Sequence, residues 1–334
     1  MKIGMLGAGS WGTTLAALLC ENSHEVTLWS YDAEDVRRMR ESGRNSVYLP
    51  EFELPAQLRV TGDLNEAAEA QDMLVIATPS QYVRSVLEQL HPRTAESAMI
   101  VNVAKGIENG SLLRMSEVVR EVFPQFDCDR YAVLSGPSHA EEVCQKRPTT
   151  VVAASRNPRT ANLTIQTFMT ETFRVYGSTD VIGVELGGSL KNVIAIGAGI
   201  CDGSRFGDNT KAALITRGIA EIRRLGTMLE ADPHTFAGLS GLGDLIVTTM
   251  SRHSRNRFVG EEIGKGRSVE EVLGGMSMVA EGVATTRSAH ELALKHGVEM
   301  PIIHQMYEIL FKGKDPVQAT QELMTRQAKH EVWS

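Results

Sequence analysis

The segment KIGMLGAGSWG, residues 2–12, constrains this chain more than any other. A short apolar run reaches three glycines, Gly7, Gly9 and Gly12, spaced G-x-G-x-x-G, and passes directly into the helical stretch TTLAALL. A second apolar run, EVTLW, follows at residues 25–29. Strand, glycine turn, helix and strand in this order make a β-α-β unit, whose strands lie parallel. Gly7 permits the tight turn, and Gly9 lets the backbone approach a pyrophosphate. Gly12 lets the helix pack closely on the strand, and the free N–H groups of the helix start face the anion. The reading is a dinucleotide-binding unit. The uncharged run from Ile3 to Cys20 imitates a secretion signal, but its glycines sit at turn spacing and no A-x-A cleavage site follows.

The pattern continues through the first half. Apolar runs at 2–6, 26–29, 58–61, 73–78, 99–103, 131–134, 150–153 and 173–176 read as strands, with amphipathic stretches between most of them. Alternation of this kind predicts a mainly parallel sheet covered on both faces. From about Gly183 the strand signal ends. Helical stretches follow at 209–230, 268–275, 281–297, 301–313 and 315–329, with Pro301 and Pro316 at helix starts and Gly297 and Gly313 at helix ends. The expected fold is α/β: a Rossmann-like, doubly wound sheet in residues 1–180, then an all-α C-terminal domain in residues 181–334. A formal charge of −7 argues against general nucleic-acid binding. No stretch approaches the ~20 apolar residues of a membrane span, so stable membrane insertion is not expected. Cys20, Cys128, Cys144 and Cys201 lack metal-ligand spacing and read as reduced cysteines of a cytoplasmic protein, with no metal site. Apolar helices in the second half leave a homodimer open.

Candidate site residues cluster at the expected strand ends. An NAD-preferring site usually has an acidic residue at the end of the second strand. Here Ser30 and Tyr31 stand there, Asp32 falls slightly late, and Arg37 and Arg38 come only on the next helix. Tyr31 reads equally as a platform for adenine or as a solvent-facing residue, and NAD against NADP stays undecided. Lys105 follows the strand MIVNV, which puts a cation at the crevice mouth. Gly136-Pro137-Ser138 leads from a strand into a helix and suits an anion. Residues 238–258 set Gly238, Gly241 and Gly243 around Asp244, place Thr248 one helical turn later, and end in Ser254, Arg255, Asn256 and Arg257. Arginine beside small polar donors is phosphate-binding chemistry.

Lys191 is the anomaly. It lies in LGGSLKNVIAIGAG, residues 186–199, which otherwise reads as the middle of a buried helix. Gly187, Gly188, Ala195, Gly197, Ala198 and Gly199 leave little bulk, so the lysine is expected to face a cavity. Burial and neighbouring cations lower a lysine pKa, here Lys105 and Arg255, while Asp244 opposes them. A lysine poised nearer neutrality can exchange a proton with a substrate oxygen.

These segments, in this order, resemble the soluble NAD(P)-dependent glycerol-3-phosphate dehydrogenases of bacterial type. The resemblance runs end to end through GAGSWGT, YLP, AKGIE, SGPS-x-A-x-E, LGGSLKNVIAIGAG, ALITRG, GLGDL-x-x-T and SRNR-x-x-G. It implies interconversion of dihydroxyacetone phosphate and sn-glycerol 3-phosphate with NAD or NADP, supplying glycerol 3-phosphate to phospholipid synthesis. Carried over by position, Lys191 is the acid/base. Lys105, Gly136, Ser138, Asp244, Ser254, Arg255 and Asn256 contact substrate. Ser10, Trp11, Tyr31, Lys105, Ala140, Arg255, Val279 and Glu281 line the cofactor, with Tyr82 as a further member. In the mechanism this implies, Lys105 and Asn192 help hold the reacting oxygen, and Asp244 and Thr248 orient Lys191. Tyr31 stands where many members carry Arg or His, and Ser189 where many carry Ala or Thr. Two other classes remain open from the residues alone, besides a protein whose helical half serves only as a dimer scaffold, which would show broad apolar helix faces without a polar cluster. One is another two-domain Rossmann reductase, of β-hydroxy acid or ketopantoate type, which calls for a carboxylate site. The other is a non-catalytic dinucleotide sensor, which has no need of Lys191 with Asp244.

Overall fold

The computed structural model describes residues 1–91, 93–94, 98–276, 278–328 and 330–331. Eight strands form one sheet: β1 Lys2–Leu6, β2 Glu25–Trp29, β3 Arg59–Thr61, β4 Met73–Ile76, β5 Met99–Asn102, β6 Tyr131–Ser135, β7 Thr149–Ala154 and β8 Phe173–Ser178. Each expected strand is present, with ends within two residues. β4 stops earlier than its apolar run because Thr78 and Pro79 turn into the short helix Ser80–Tyr82. β8 runs further because Gly177 and Ser178 still find partners in Ala153 and Ala154.

The strand order is β3-β2-β1-β4-β5-β6-β7-β8. All neighbours are parallel except β6 and β7. The order reverses between β1 and β4, and in doubly wound sheets ligands bind at that reversal, beyond the carboxyl ends of the strands. Gly7, Lys105 and Gly136 therefore share one edge of the molecule, following β1, β5 and β6. Ile3, Met5, Leu15, Leu19 and Leu28 are fully buried between the sheet and its helices. Each such side chain contributes about 1.5–3 kcal/mol of apolar burial.

After β8 the fold is helical, organised around the central helix Val181–Gly203. Asp180 caps it by accepting the Gly183 N–H at 2.8 Å. Leu186, Leu190, Val193, Ile194 and Ile196 pack against Ile222, Leu225, Phe236, Ile303 and Met306 from the surrounding helices. This helix is long and apolar enough to cross a membrane, but 94% of its apolar window is buried inside the protein. Its glycines do not leave open space. Gly199 and Gly203 lie against the backbone of Arg257 and Glu261, and Gly260 and Gly264 return the contact on Ile196 and Ile200. The helix Arg255–Gly264 thus approaches Gly199 and Gly203 backbone to backbone, while Gly187 and Gly188 meet Ser240 and Ser135. The stretch expected to be helical over 315–329 forms the helix Pro316–Met324, and Lys329 lies outside the described residues.

Candidate active site

The glycines of the central helix set the site's first distances. A side chain on Gly187 would strike the Ser240 carbonyl, and one on Gly241 would strike Phe236. Their absence lets the π-helical turn Leu239–Gly243 press onto the central helix and lead into the next helix, Asp244–Met250, beside Lys191. Lys191 Nζ donates to Asp244 Oδ1 at 2.7 Å and to Thr248 Oγ1 at 2.6 Å. From the sheet side, Lys105 Nζ donates to Asp244 Oδ2 at 2.7 Å and to the Gly136 carbonyl at 3.1 Å. Gly136 has φ of 138°, which brings that carbonyl close and favours glycine. Two ammonium groups thus share one carboxylate across the junction of the two halves. Lys191 and Asp244 are buried, and Lys105 is partly exposed.

The electrostatics follow from burial first. Desolvation brings the Lys191 pKa down from 10.5 to about 8; Asp244 opposes the shift, and Lys105 and Arg255 add to it. Burial alone pushes the Asp244 carboxyl up, but Lys105 and Lys191 outweigh it and hold the group below the usual carboxylate range. Thr248 Oγ1 donates in turn to the Asp244 carbonyl at 2.6 Å, which leaves its lone pairs toward the lysine. Two of the three ammonium hydrogens are therefore placed by Asp244 and Thr248.

The glycine loop fits a dinucleotide phosphate. Gly7 has φ of 125°, and a side chain there would strike Ala77 and Thr78; one on Gly12 would strike the Gly7 carbonyl. A side chain on Gly9 would meet nothing within 4 Å. Gly9 is also the N-cap of the helix Ser10–Glu21, which no side chain caps. Its first-turn N–H groups have no intrahelical acceptors. Among the described residues, Thr78 Oγ1 and Ser135 Oγ, at the ends of β4 and β6, are buried polar atoms without hydrogen-bond partners. Such atoms at a crevice are what a bound ligand satisfies.

The other expected residues divide by what they touch. Ser10 and Trp11 open the helix after the glycine loop, with the Trp11 ring 6.3 Å from that of Phe173. Ser138 Oγ donates to the Gly136 carbonyl at 2.9 Å, and Ala140 starts the following short helix. Arg255 Nη1 donates to the Val279 carbonyl at 2.8 Å, so these two meet. Burial draws the Arg255 guanidinium below its ordinary pKa, against Glu281. Glu281 reaches across to the sheet half and accepts from Ser80 N at 3.0 Å and Ser80 Oγ at 2.5 Å. Asn192 and Asn256 hold each other: Asn256 Nδ2 donates to Asn192 Oδ1 at 2.9 Å, and Asn256 Oδ1 accepts the Gly282 N–H at 2.9 Å. Ser254 caps the helix Arg255–Gly264, accepting from Arg257 N at 3.2 Å. Tyr31 and Tyr82 are exposed.

Sequence reasoning missed three residues here. Ser80 binds Glu281, and its only signal is a polar residue just past a strand end. Ser135 lies beside Gly188, next to the Lys105 stem. His139 has a buried Nε2 without a partner among the described residues, and its ring lies 5.9 Å from that of His253. Burial and Lys191 hold its pKa below the usual histidine value. A cavity of about 350 Å³ lies elsewhere, walled by Arg114, Tyr131, Arg156, Val181, Leu292 and His296, and none of the expected site residues lines it.

Comparison with known proteins adds an independent line. A family model described as the NAD-dependent glycerol-3-phosphate dehydrogenase N-terminus matches residues 2–161, and its C-terminal counterpart matches residues 180–321. A glycerol-3-phosphate dehydrogenase (NAD(P)+) of Syntrophotalea carbinolica is 52% identical over 332 residues, covering 99% of this chain and all of the relative. One from Salinibacter ruber is 53% identical, covering 99% of this chain and 97% of the relative. The crystal structure of glycerol-3-phosphate dehydrogenase from Coxiella burnetii superposes with a TM-score of 0.91 at 40% identity, covering 97% of this chain and 99% of that one.

Proposed function

The chain belongs to the NAD-dependent glycerol-3-phosphate dehydrogenase family and is an oxidoreductase using NAD or NADP; from that premise we propose that Lys191 is its acid/base and that the residues around it perform the following tasks. The observation that carries the reading is the buried contact of Lys191 with Asp244 and Thr248, closed from the sheet side by Lys105. Residues 1–180 hold the dinucleotide, and residues 181–334 supply the acid/base and most substrate contacts.

When bound, the reduced nicotinamide supplies a hydride to the C2 carbonyl of dihydroxyacetone phosphate. Lys191 gives its free ammonium hydrogen to the carbonyl oxygen as negative charge grows there. Asp244 and Thr248 fix the direction of that transfer by holding the other two hydrogens. Proton loss leaves Lys105 and Asp244 as a one-to-one ion pair, so the site exchanges net positive charge for charge balance. That difference favours the transfer in a buried setting. Lys105 places a second positive charge beside the developing oxyanion. Arg255, with Ser138 and the helix start it precedes, binds the phosphate and orders the reacting carbon. Asn192 and Asn256 act as a linked pair that sets the position of Arg255. Gly7, Gly9, Ser10, Trp11 and Gly12 cradle the cofactor phosphates, and Tyr31, Tyr82, Ala140, Val279 and Glu281 form the rest of its wall. The product serves phospholipid synthesis in the cytoplasm.

The test is oxidation of NADH and NADPH, followed by nicotinamide absorbance, with dihydroxyacetone phosphate against a panel of small ketoacids. Turnover with dihydroxyacetone phosphate alone supports the reading. Preference for a ketoacid replaces it with the β-hydroxy acid or ketopantoate class.

A further inference from the structure

The end of β2 bears on which dinucleotide this chain takes. Gly7 N–H donates to the Trp29 carbonyl at 3.1 Å, so the glycine loop is tied to the last residue of β2. Ser30 is buried and continues the ladder by donating its N–H to Thr61 at 3.1 Å. Tyr31 then turns outward, 79% exposed, and offers no charge. Asp32 comes next, as the N-cap of the helix Ala33–Ser42. Its Oδ1 accepts the N–H groups of Glu34 at 2.8 Å and Asp35 at 3.4 Å. A carboxylate therefore already occupies the anion position at that helix start, and its Oδ2 remains available.

The cations of this segment are engaged. Arg37 holds Glu34 and Glu41, Arg38 holds Asp35, and Arg40 donates to the Val60 carbonyl at 2.9 Å. Asp32, Glu34, Asp35 and Glu41 outnumber these three arginines. The arginine pairs are exposed and individually weak, so they alone do not decide the matter. The Asp32 carboxylate does, because it cannot leave without uncapping the helix.

We propose that this chain selects NADH over NADPH, with Asp32 as the discriminating residue. Asp32 Oδ2 accepts from the adenosine ribose hydroxyls, while a 2′-phosphate meets like charge in the same place. This rests on the reading that the glycine loop holds a nicotinamide dinucleotide.

The experiment measures equilibrium binding, by calorimetry and by quenching of tryptophan fluorescence, with NADH and NADPH added separately. The wild-type chain is expected to bind NADH at least about tenfold more tightly, since like charges brought together at an interface carry a large penalty. Asp32→Asn keeps a good helix cap and removes the charge. It is expected to tighten NADPH about threefold or more and to narrow the ratio. Equal or tighter binding of NADPH by the wild type overturns the proposal. An NADH preference that Asp32→Asn leaves unchanged overturns the role of Asp32. Arg44 follows the same helix and has no ion pair among the described residues. Loss of NADPH affinity in Arg44→Ala, with NADH unaffected, puts the 2′-phosphate there and also overturns the proposal. If neither dinucleotide binds the wild type, the cofactor reading itself fails, which is a separate result.

Discussion

Lys191 and Asp244 meet at 2.7 Å in a buried pair that is not one-to-one, because Lys105 holds the other carboxylate oxygen at the same distance. Burial lowers the Lys191 pKa to about 8, with Asp244 opposing the shift and Lys105 and Arg255 adding to it. Carbonyl reduction needs the ammonium form. Its kcat/KM is expected to be level below that value and to fall as pH rises through it. Alcohol oxidation needs the neutral amine and is expected to rise over the same range. Asp244→Asn removes the group that raises the Lys191 pKa, so the alkaline limb for reduction moves to lower pH. It also leaves two cations without their anion, at a cost of roughly 3–5 kcal/mol. Paired pH profiles of the two reaction directions, with urea unfolding of the variant, check both statements. An unmoved limb removes Lys191 from the titration.

Lys191→Met keeps the stem and deletes the ammonium. Turnover is expected to fall by roughly 10² to 10⁴, the range that general acid–base catalysis supplies. Dinucleotide affinity is expected to stay within a factor of about two, because the glycine loop stands on different elements. Stopped-flow turnover and calorimetric binding on one preparation separate the two effects. Loss of both together reports damage to the fold instead of the chemistry.

Arg255 carries two expectations. Its Nη1 is occupied by the Val279 carbonyl, which leaves the rest of the guanidinium fork for a phosphate. Arg255→Ala is expected to raise KM for dihydroxyacetone phosphate at least about tenfold, the loss expected for charge-assisted hydrogen bonds. An unphosphorylated hydroxyketone is expected to lose little. Equal losses on the two substrates assign Arg255 to holding the Val279 loop alone.

Much of this site was legible because glycine and charge leave clear marks in a sequence. The G-x-G-x-x-G turn, the strand ends and the lone lysine in an apolar helix each break a local pattern. Lys191, Asp244 and Thr248 were expected together and are in contact. The small residues around Lys191 were misread as open space, because a sequence shows missing bulk but not what fills it. Here Ser240 lies against Gly187, Ser135 and the Lys105 stem against Gly188, and the Arg257 backbone against Gly199. The Asn192–Asn256 pair and the Ser80–Glu281 contact span residues 64 and 201 positions apart. Neither periodicity nor spacing encodes such meetings: helix packing within the second half creates the first, and packing of the two halves creates the second. Asp32 was read as slightly late for the ribose, and its use as a helix cap was not legible, because that depends on where the helix begins.

Glu221 supplies the last prediction, away from the site. Its carboxylate is buried in the helical half and accepts the N–H groups of Ile302 at 2.8 Å and Ile303 at 3.2 Å, at the start of the helix Pro301–Lys312. Those bonds lower its pKa, but burial outweighs them and pushes it up from 4.5 to about 7. The folded chain therefore holds a proton that the unfolded chain has released between those values. Stability from this group is complete below the unfolded pKa and is lost as pH rises toward 7. Over that window the loss is up to roughly 3 kcal/mol. Glu221→Gln cannot titrate and keeps one acceptor for the helix start. Relative to wild type it is expected to gain stability steadily from pH 5 to pH 8, as measured by urea unfolding at several pH values. A difference that stays flat with pH means that the two backbone N–H groups hold the carboxylate ionised, and that the helix start outweighs its desolvation.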